Sequence, residues 1–228
     1  MSCNCRYSVM IVACLVAASC GGRHSSSTSP NDPFTRIPVS QLPVASASGS
    51  NVLLLAVGGL VLGDTTPLPE LEGRRSALLA TANAVLDSVL RESVREVAWQ
   101  GLDEQRGAAR RNPTLGLAPD RFATAYVIGS AVEKIPDPLW GQVRTLAAIT
   151  SVRFAVIPAG ARITRANGAG GGYRAEYVLV TADTRSGAVL WRGRAVGRAA
   201  ATPEAALASA AATVIASPLQ SPPVQPRP

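Results

Sequence analysis

Residues 51–217 predict an α/β fold: one domain with a mixed β-sheet flanked by helices, ending in a β-hairpin and an Ala-rich helix. Three observations carry this. Residues 51–62 form a nearly unbroken apolar run, Val52-Leu-Leu-Leu-Ala-Val57 and then Leu60-Val-Leu62 after two glycines. It is too short to cross a bilayer and suits a strand buried on both faces. Residues 74–94 place Leu78, Leu79, Ala82, Leu86 and Val89/Leu90 at helical spacing, with Arg and Asp opposite. Residues 173–182 and 188–196 alternate with period two around Asp183-Thr-Arg-Ser-Gly187, a five-residue turn with glycine at its end. Strands that alternate with helices and close on an antiparallel pair call for a sheet covered on its faces.

The remaining elements follow in chain order. Residues 96–100 (Glu-Val-Ala-Trp-Gln) predict a second strand, ended by Gly101. A short polar helix over 102–111 comes next, then a break at Asn112-Pro113 and another helix starting at Pro119-Asp120. Residues 126–132 predict a strand. Asp137-Pro138 predicts a helix start, Asp137 as N-cap and Pro138 in the first turn, with Leu139, Val143, Leu146 and Ala147 as the buried stripe. Residues 152–158 predict a strand stopping at Pro158. On the hairpin, Tyr173, Ala175, Tyr177 and Leu179 share one face, and Tyr177 and Leu179 are expected opposite Val189 and Trp191. Gly187 is expected in a left-handed turn position. Thr202-Pro203-Glu204 caps the Ala-rich helix, and 218–228 reads as a disordered Pro-rich tail.

The amino terminus carries an address. Arg6 is followed by thirteen residues without charge, Tyr7 to Ser19, a length that fits a secretory h-region and not a membrane span. Ala17, Ala18 and Ser19 lead into Cys20, which resembles the bacterial lipobox, whose cysteine is acylated and becomes the mature first residue. Two acyl chains on one residue anchor stably where one binds only marginally. Ala17 stands where lipoboxes prefer Leu, and Ile11-Val12-Ala13-Cys14 is closer to the pattern but would leave too short an h-region. The competing reading is an ordinary signal peptide cut nearby, with Cys20 a free thiol. The boundaries are a signal peptide over 1–19, a disordered Ser/Pro-rich tether over 20–50, the domain over 51–217 and the tail. Gly21 after the cysteine, in place of Asp, implies an outer-membrane lipoprotein facing the periplasm.

Composition narrows the chemistry. All four cysteines, Cys3, Cys5, Cys14 and Cys20, fall in the first twenty residues, so the domain has no disulfide framework and no thiolate metal site. The single histidine, His24, lies in the tether, which removes Ser-His-Asp and Cys-His constellations and histidine zinc sites from the domain. The net charge of +7 falls to +6 without residues 1–19, which hold Arg6 and no carboxylate. The arginines are scattered among acidic and apolar residues, which predicts a solvated basic surface and no nucleic-acid partner. Asn167-Gly-Ala-Gly-Gly-Gly172 precedes a strand, not a helix, and reads as a strand connection rather than a phosphate loop. Ser130 and Lys134 could form an acyl-transfer dyad, but on a strand they would stand ~13 Å apart. Asp64, Asp103/Glu104 and Glu133/Asp137 could pair as acid and base, yet their spacing equally fits helix caps and loops. Trp99, Trp140 and Trp191 with Tyr173 and Tyr177 offer either core packing or a sugar-binding face.

One resemblance adds to this reading. The order of a buried strand, a long helix, a helix just before Val152-Arg-Phe-Ala-Val-Ile157, and a hairpin around Asp183-Thr-Arg-Ser-Gly-Ala-Val-Leu-Trp191 resembles bacterial envelope lipoproteins. The group is that of the curli secretion component and the penicillin-binding-protein activator, with an α/β domain similar to the amino-terminal domain of TolB. A D-x-x-x-G-x-x-x-W-like hairpin is common there. The resemblance implies a periplasmic interaction domain and carries over no catalytic residue. The expectation is a membrane-tethered, noncatalytic lipoprotein, attached through Cys20, that engages an envelope protein partner and uses no cofactor or metal. The alternatives are a peptidoglycan- or glycan-binding module on the same anchor and, third, a hydrolase.

Overall fold

The structure, a computed structural model, describes residues 32–43, 47–129, 131–166 and 171–215. Six strands are present among them: β1 (Asn51–Leu54), β2 (Leu60–Leu62), β3 (Ala98–Gln100), β4 (Phe154–Arg165), β5 (Tyr173–Asp183) and β6 (Val189–Val196). They form one open sheet in the order β3-β1-β4-β5-β6, with β2 also beside β4. Pairs β1/β3, β1/β4 and β2/β4 are parallel, whereas β4/β5 and β5/β6 are antiparallel. The mixed α/β class with helices on both faces, a closing hairpin and an Ala-rich helix is therefore the observed one.

The faces are covered by helices that connect the strands. One face packs against α3 (Arg75–Ser93) and α6 (Pro203–Ala212), and a short α2 (Pro69–Glu72) leads into α3. On α3, Leu78, Ala82, Leu86 and Leu90 are four apart and buried, so a single stripe meets the sheet. On α6, Ala206, Leu207, Ala210 and Ala211 are fully buried against the same core as Ala175, Tyr177 and Leu179. Thr202 caps α6 by accepting from the Ala205 amide at 3.2 Å, and Pro203 opens its first turn. The opposite face packs against α4 (Leu102–Arg111) and α5 (Leu139–Thr150), where Leu139, Val143 and Leu146 meet Leu53, Ala155, Ile157, Val178 and Val180. Strand β1 feeds both cores: Val52 and Leu54 point to one, Leu53 to the other. A strand buried on both faces has no polar side to alternate.

The structure corrects several expectations. The apolar run at 51–62 is two strands, broken at residues 55–59. Strand β4 does not stop at Pro158 but continues to Arg165; a register shift between Pro158 and Gly160 accommodates the missing proline donor. The described residues of 126–132 hold no strand. A 3₁₀ turn, Thr124–Val127, buries Thr124 and Val127 three apart while Tyr126 stays 57% exposed. Similarly, Pro119–Arg121 is a single 3₁₀ turn. Finally, residues 32–43, expected within the tether, belong to the domain: α1 (Pro33–Arg36) buries Phe34, and Ile37 and Leu42 are also buried. Three apolar side chains dispersed among prolines and serines do not alter the average composition, so they read as tether.

The hairpin registers differently from the expected pairing. Tyr177 faces Ala195, Leu179 faces Gly193 and Thr181 faces Trp191, and a shift between Thr181 and Ala182 turns Val189 to the other face. The core face of β5 is as expected, with Ala175, Tyr177 and Leu179 together. Tyr177 is fully buried; its hydroxyl donates to the Ala82 carbonyl at 3.3 Å, and burial pushes its phenol above the ordinary range. The turn is held by Asp183, whose carboxylate accepts from the amides of Arg185 at 2.9 Å and Ser186 at 3.0 Å and from Arg153 Nε at 3.0 Å. Burial opposes ionisation of Asp183, but these donors outweigh it and hold the carboxyl below its usual range.

Gly187 does occupy the left-handed region, at φ 73°, and a Cβ there would meet the Trp140 ring at 2.9 Å. Gly187→Ala should therefore destabilise the domain by about 1–2 kcal/mol from backbone strain alone, read as a lower denaturation midpoint. Combining it with Trp140→Ala should leave the backbone part of that cost in place. The Asp183 contribution has a sign as well. A lowered folded-state pKa adds stability that is present above the ordinary carboxylate range and lost as pH falls through the folded value. Asp183→Asn should thus narrow the stability difference between pH 7 and pH 3, and an unchanged difference would contradict the assignment.

Candidate functional site

In open α/β sheets the ligand crevice lies at the carboxyl ends of parallel strands, where successive crossovers leave in opposite directions. Here that point is next to β1, because α3 crosses to β3 on one face and α4 and α5 cross to β4 on the other. The position is filled. Gln105, fully buried on α4, donates through Nε2 to the carbonyls of Leu54 at 2.7 Å and Gln100 at 2.8 Å. Thr124, fully buried, donates to the Ala56 carbonyl at 3.1 Å. From the other face Asn83 Oδ1 accepts the Val57 amide at 2.8 Å. Along β4, Val156 and Pro158 accept from Leu55 and Gly58, and Gly59 accepts from Ala161. A Cβ on Gly58 would stand 2.5 Å from the Ala125 amide nitrogen, so the 3₁₀ turn closes directly over the gap. What could have been a cleft is a hydrogen-bonded plug.

A second polar cluster lies at the far end of the sheet. Arg162 of β4 pairs with both Glu176 of β5 and Asp32, and Arg194 of β6 donates to Glu176 at 3.1 Å. The side chains of Arg162 and Glu176 are only 8% and 10% exposed. The guanidinium carbon of Arg162 sits 4.5 Å from the centroid of the Phe34 ring, a stacking that suits a planar, delocalised cation. Buried charges persist only when paired and hydrogen-bonded, and removing one partner typically costs ~3–5 kcal/mol. The chain then runs around the sheet edge. Phe34 and Ile37 belong to one core, Leu42 to the other, and between them Val39 bridges to Arg194 in parallel sense. The Arg194 amide donates to Pro38 at 2.9 Å, and the Ser40 amide donates to Arg194 at 3.3 Å.

The residues singled out in the sequence are not brought together. Cys3, Cys5, Cys14, Cys20, His24, Ser130 and residues 167–170 lie outside the described residues. Lys134 bridges to Ala188 at the hairpin edge. Asp64 accepts from Thr65 and Thr66 in a local turn; burial opposes its ionisation, but these bonds hold its carboxyl below the usual range. Asp103 pairs with Arg106 and Glu104 with Arg91, and Asp137 accepts from the Gly141 amide at 3.3 Å. Trp99 and Tyr177 are core residues, at 5% and 0% exposed. Trp140 packs on Gly187, and Trp191 lies over Gly193 beside Ser40. Among the described residues there is no group of three or more potential metal ligands, and no helix is long and apolar enough to cross a membrane.

Sequence reasoning missed Gln105, Thr124 and the Asp32–Arg162–Glu176–Arg194 cluster. The arginines were expected on a solvated surface, and Arg162 instead is nearly enclosed. Its position within the alternating tail of β4 was the available signal, hidden because that strand was ended at Pro158.

No family model matches the chain, and no curated protein matches it. Solved structures similar to it include the LpoB C-terminal domains of Salmonella enterica and Escherichia coli. These are 11% and 10% identical, each with a TM-score of 0.33, over 66% and 67% of this chain and 83% and 84% of theirs. A lipoprotein from Neisseria meningitidis is 17% identical, with a TM-score of 0.30, over 65% of this chain and 80% of that one. At that level the likeness carries no functional assignment, which has to come from the residues.

The plug makes a direct prediction. Gln105→Leu removes the side-chain donor to two main-chain carbonyls, each worth about 1–3 kcal/mol when left unsatisfied. Its chemical denaturation midpoint should fall accordingly, with little change in the slope. Parent-like stability would show that the carbonyls do not depend on Gln105.

Proposed function

We propose that this protein is a lipid-anchored, noncatalytic component of a bacterial cell envelope whose domain engages a protein partner. The observation that carries the reading is the amino terminus: thirteen uncharged residues, Ala17-Ala18-Ser19, and then Cys20. Acylation of Cys20 supplies a membrane anchor that no described helix provides. The domain supports a binding role over a catalytic one. Its α/β ligand position is closed by Gln105 and Thr124, and of the carboxylates expected to act as acid/base pairs Asp103 and Glu104 are committed to arginines and Asp64 and Asp137 to local main-chain turns. The burial of Trp99 and Tyr177 dismantles the five-residue aromatic face on which a glycan-binding role rested. Gly21 after the cysteine favours outer-membrane sorting.

Two experiments test this. Cys20→Ser should abolish incorporation of labelled palmitate and release the chain from membranes; a mutant that stays membrane-bound beside an unlabelled parent sinks the lipoprotein reading. Pull-down of the acylated protein from detergent-solubilised membranes should recover a stoichiometric protein partner. Sedimentation with purified peptidoglycan in its absence would favour a wall-binding module instead.

A further inference from the structure

Residues 32–42 are held on the sheet as a bound peptide would be. Their contacts are an acidic group in a basic recess, an aromatic ring in a slot, an aliphatic side chain in the core and two main-chain bonds to a strand edge. The recess is formed by Arg162 and Arg194 around Glu176, so without Asp32 it carries one positive charge more than negative. The Phe34 ring lies against the Arg162 guanidinium and close to Gly160, where a Cβ would be 3.4 Å from it and 3.3 Å from Ile128. Ile37 is 1% exposed, and the Arg194 amide, donating to the Pro38 carbonyl, and the Arg194 carbonyl, accepting from the Ser40 amide, tie the segment to β6 in parallel sense. Residues 38–40 thus attach as sheets take up extended segments, through main-chain bonds, while the capped turn Asp32–Arg36 supplies the side-chain contacts that give selectivity.

We propose that this cleft is an acceptor site for a peptide that forms one acid-capped helical turn and then extends along β6, bearing an acidic residue two positions before an aromatic one and five before an aliphatic one, and that residues 32–42 are its built-in, displaceable occupant. The inference rests on the reading that the domain engages a protein partner, and it names where and by what chemistry. Glu176 is part of the selectivity. It holds both arginines in place, so a peptide with a basic residue at the Asp32 position would put three cations around one carboxylate. The intramolecular occupant competes at an effective concentration in the millimolar range, so a free peptide gains access mainly when the strap is weakened.

The test uses the full chain carrying Cys20→Ser and, as probe, a fluorescent synthetic peptide reproducing residues 32–42. A chain with Phe34→Ala should bind the probe at least roughly ten-fold more tightly than one with the strap intact, because a larger fraction of its clefts is open. Adding Arg162→Glu, or placing Lys at the first residue of the probe, should abolish that gain. Equal affinity with and without Phe34→Ala, or equal affinity for the Lys probe, overturns the proposal. If Phe34→Ala fails to fold, Asp32→Asn carries the test through hydrogen exchange. The Ser40 and Arg194 amides should then exchange at least roughly ten-fold faster while β4–β5 amides keep their protection, and unchanged exchange at those two amides overturns it. Probe and chain are free of lipid and of any cellular partner. Failure here leaves membrane anchoring standing, and failure of palmitate incorporation leaves the cleft standing.

Discussion

The constraint on which this structure depends is that the main-chain groups of residues 54–59 find partners while β1 is interrupted. A buried main-chain polar group left unpaired costs as much as a lost hydrogen bond, so an interrupted central strand survives only if something replaces the ladder. Three side chains from three separate elements do so: Gln105 from α4, Asn83 from α3 and Thr124 from the 3₁₀ turn. Each carries its own element into position against the sheet. The interruption faces Pro158, the residue of β4 that has no amide hydrogen to give, so two irregularities share one place. Moving either alone would leave donors or acceptors stranded.

That arrangement also accounts for what the domain lacks. The site where related architectures open toward a ligand is here occupied by the protein's own amide and hydroxyl groups. Among the described ionisable residues, Asp103, Glu104 and Asp120 pair with arginines, Asp64 and Asp183 hold turns, and Asp32 and Glu176 meet Arg162 at the strap.

The elements most legible from the sequence were those whose own residues decide them. The stripe Leu78–Ala82–Leu86–Leu90 specified α3, Thr202-Pro203 specified the start of α6, and Asp183 with Gly187 specified the hairpin turn. Less legible was whatever depends on a distant partner. Pro158 ends a strand by local rules, and only the facing break at 55–59 explains why β4 continues. Phe34, Ile37 and Leu42 sit among tether-like residues, and their burial comes from surfaces supplied more than a hundred residues later. The hairpin register followed the same logic: alternation placed Tyr177 on the correct face, but the observed register sets it opposite Ala195, and the one-residue shift after Thr181 is not visible in the alternation. The plug could not be foreseen because Gln105 and Thr124 look in isolation like ordinary polar surface residues.

The early entry of the chain into the domain has a geometric consequence. Eleven residues, 21–31, lie between Cys20 and Asp32, where the described part of the fold starts, and a boundary at Asn51 would have left thirty. At full extension the shorter segment reaches roughly 40 Å, the longer roughly 105 Å. A lipid on Cys20 would thus confine the domain to a thin shell against the bilayer, and a partner would have to come within that shell to be met.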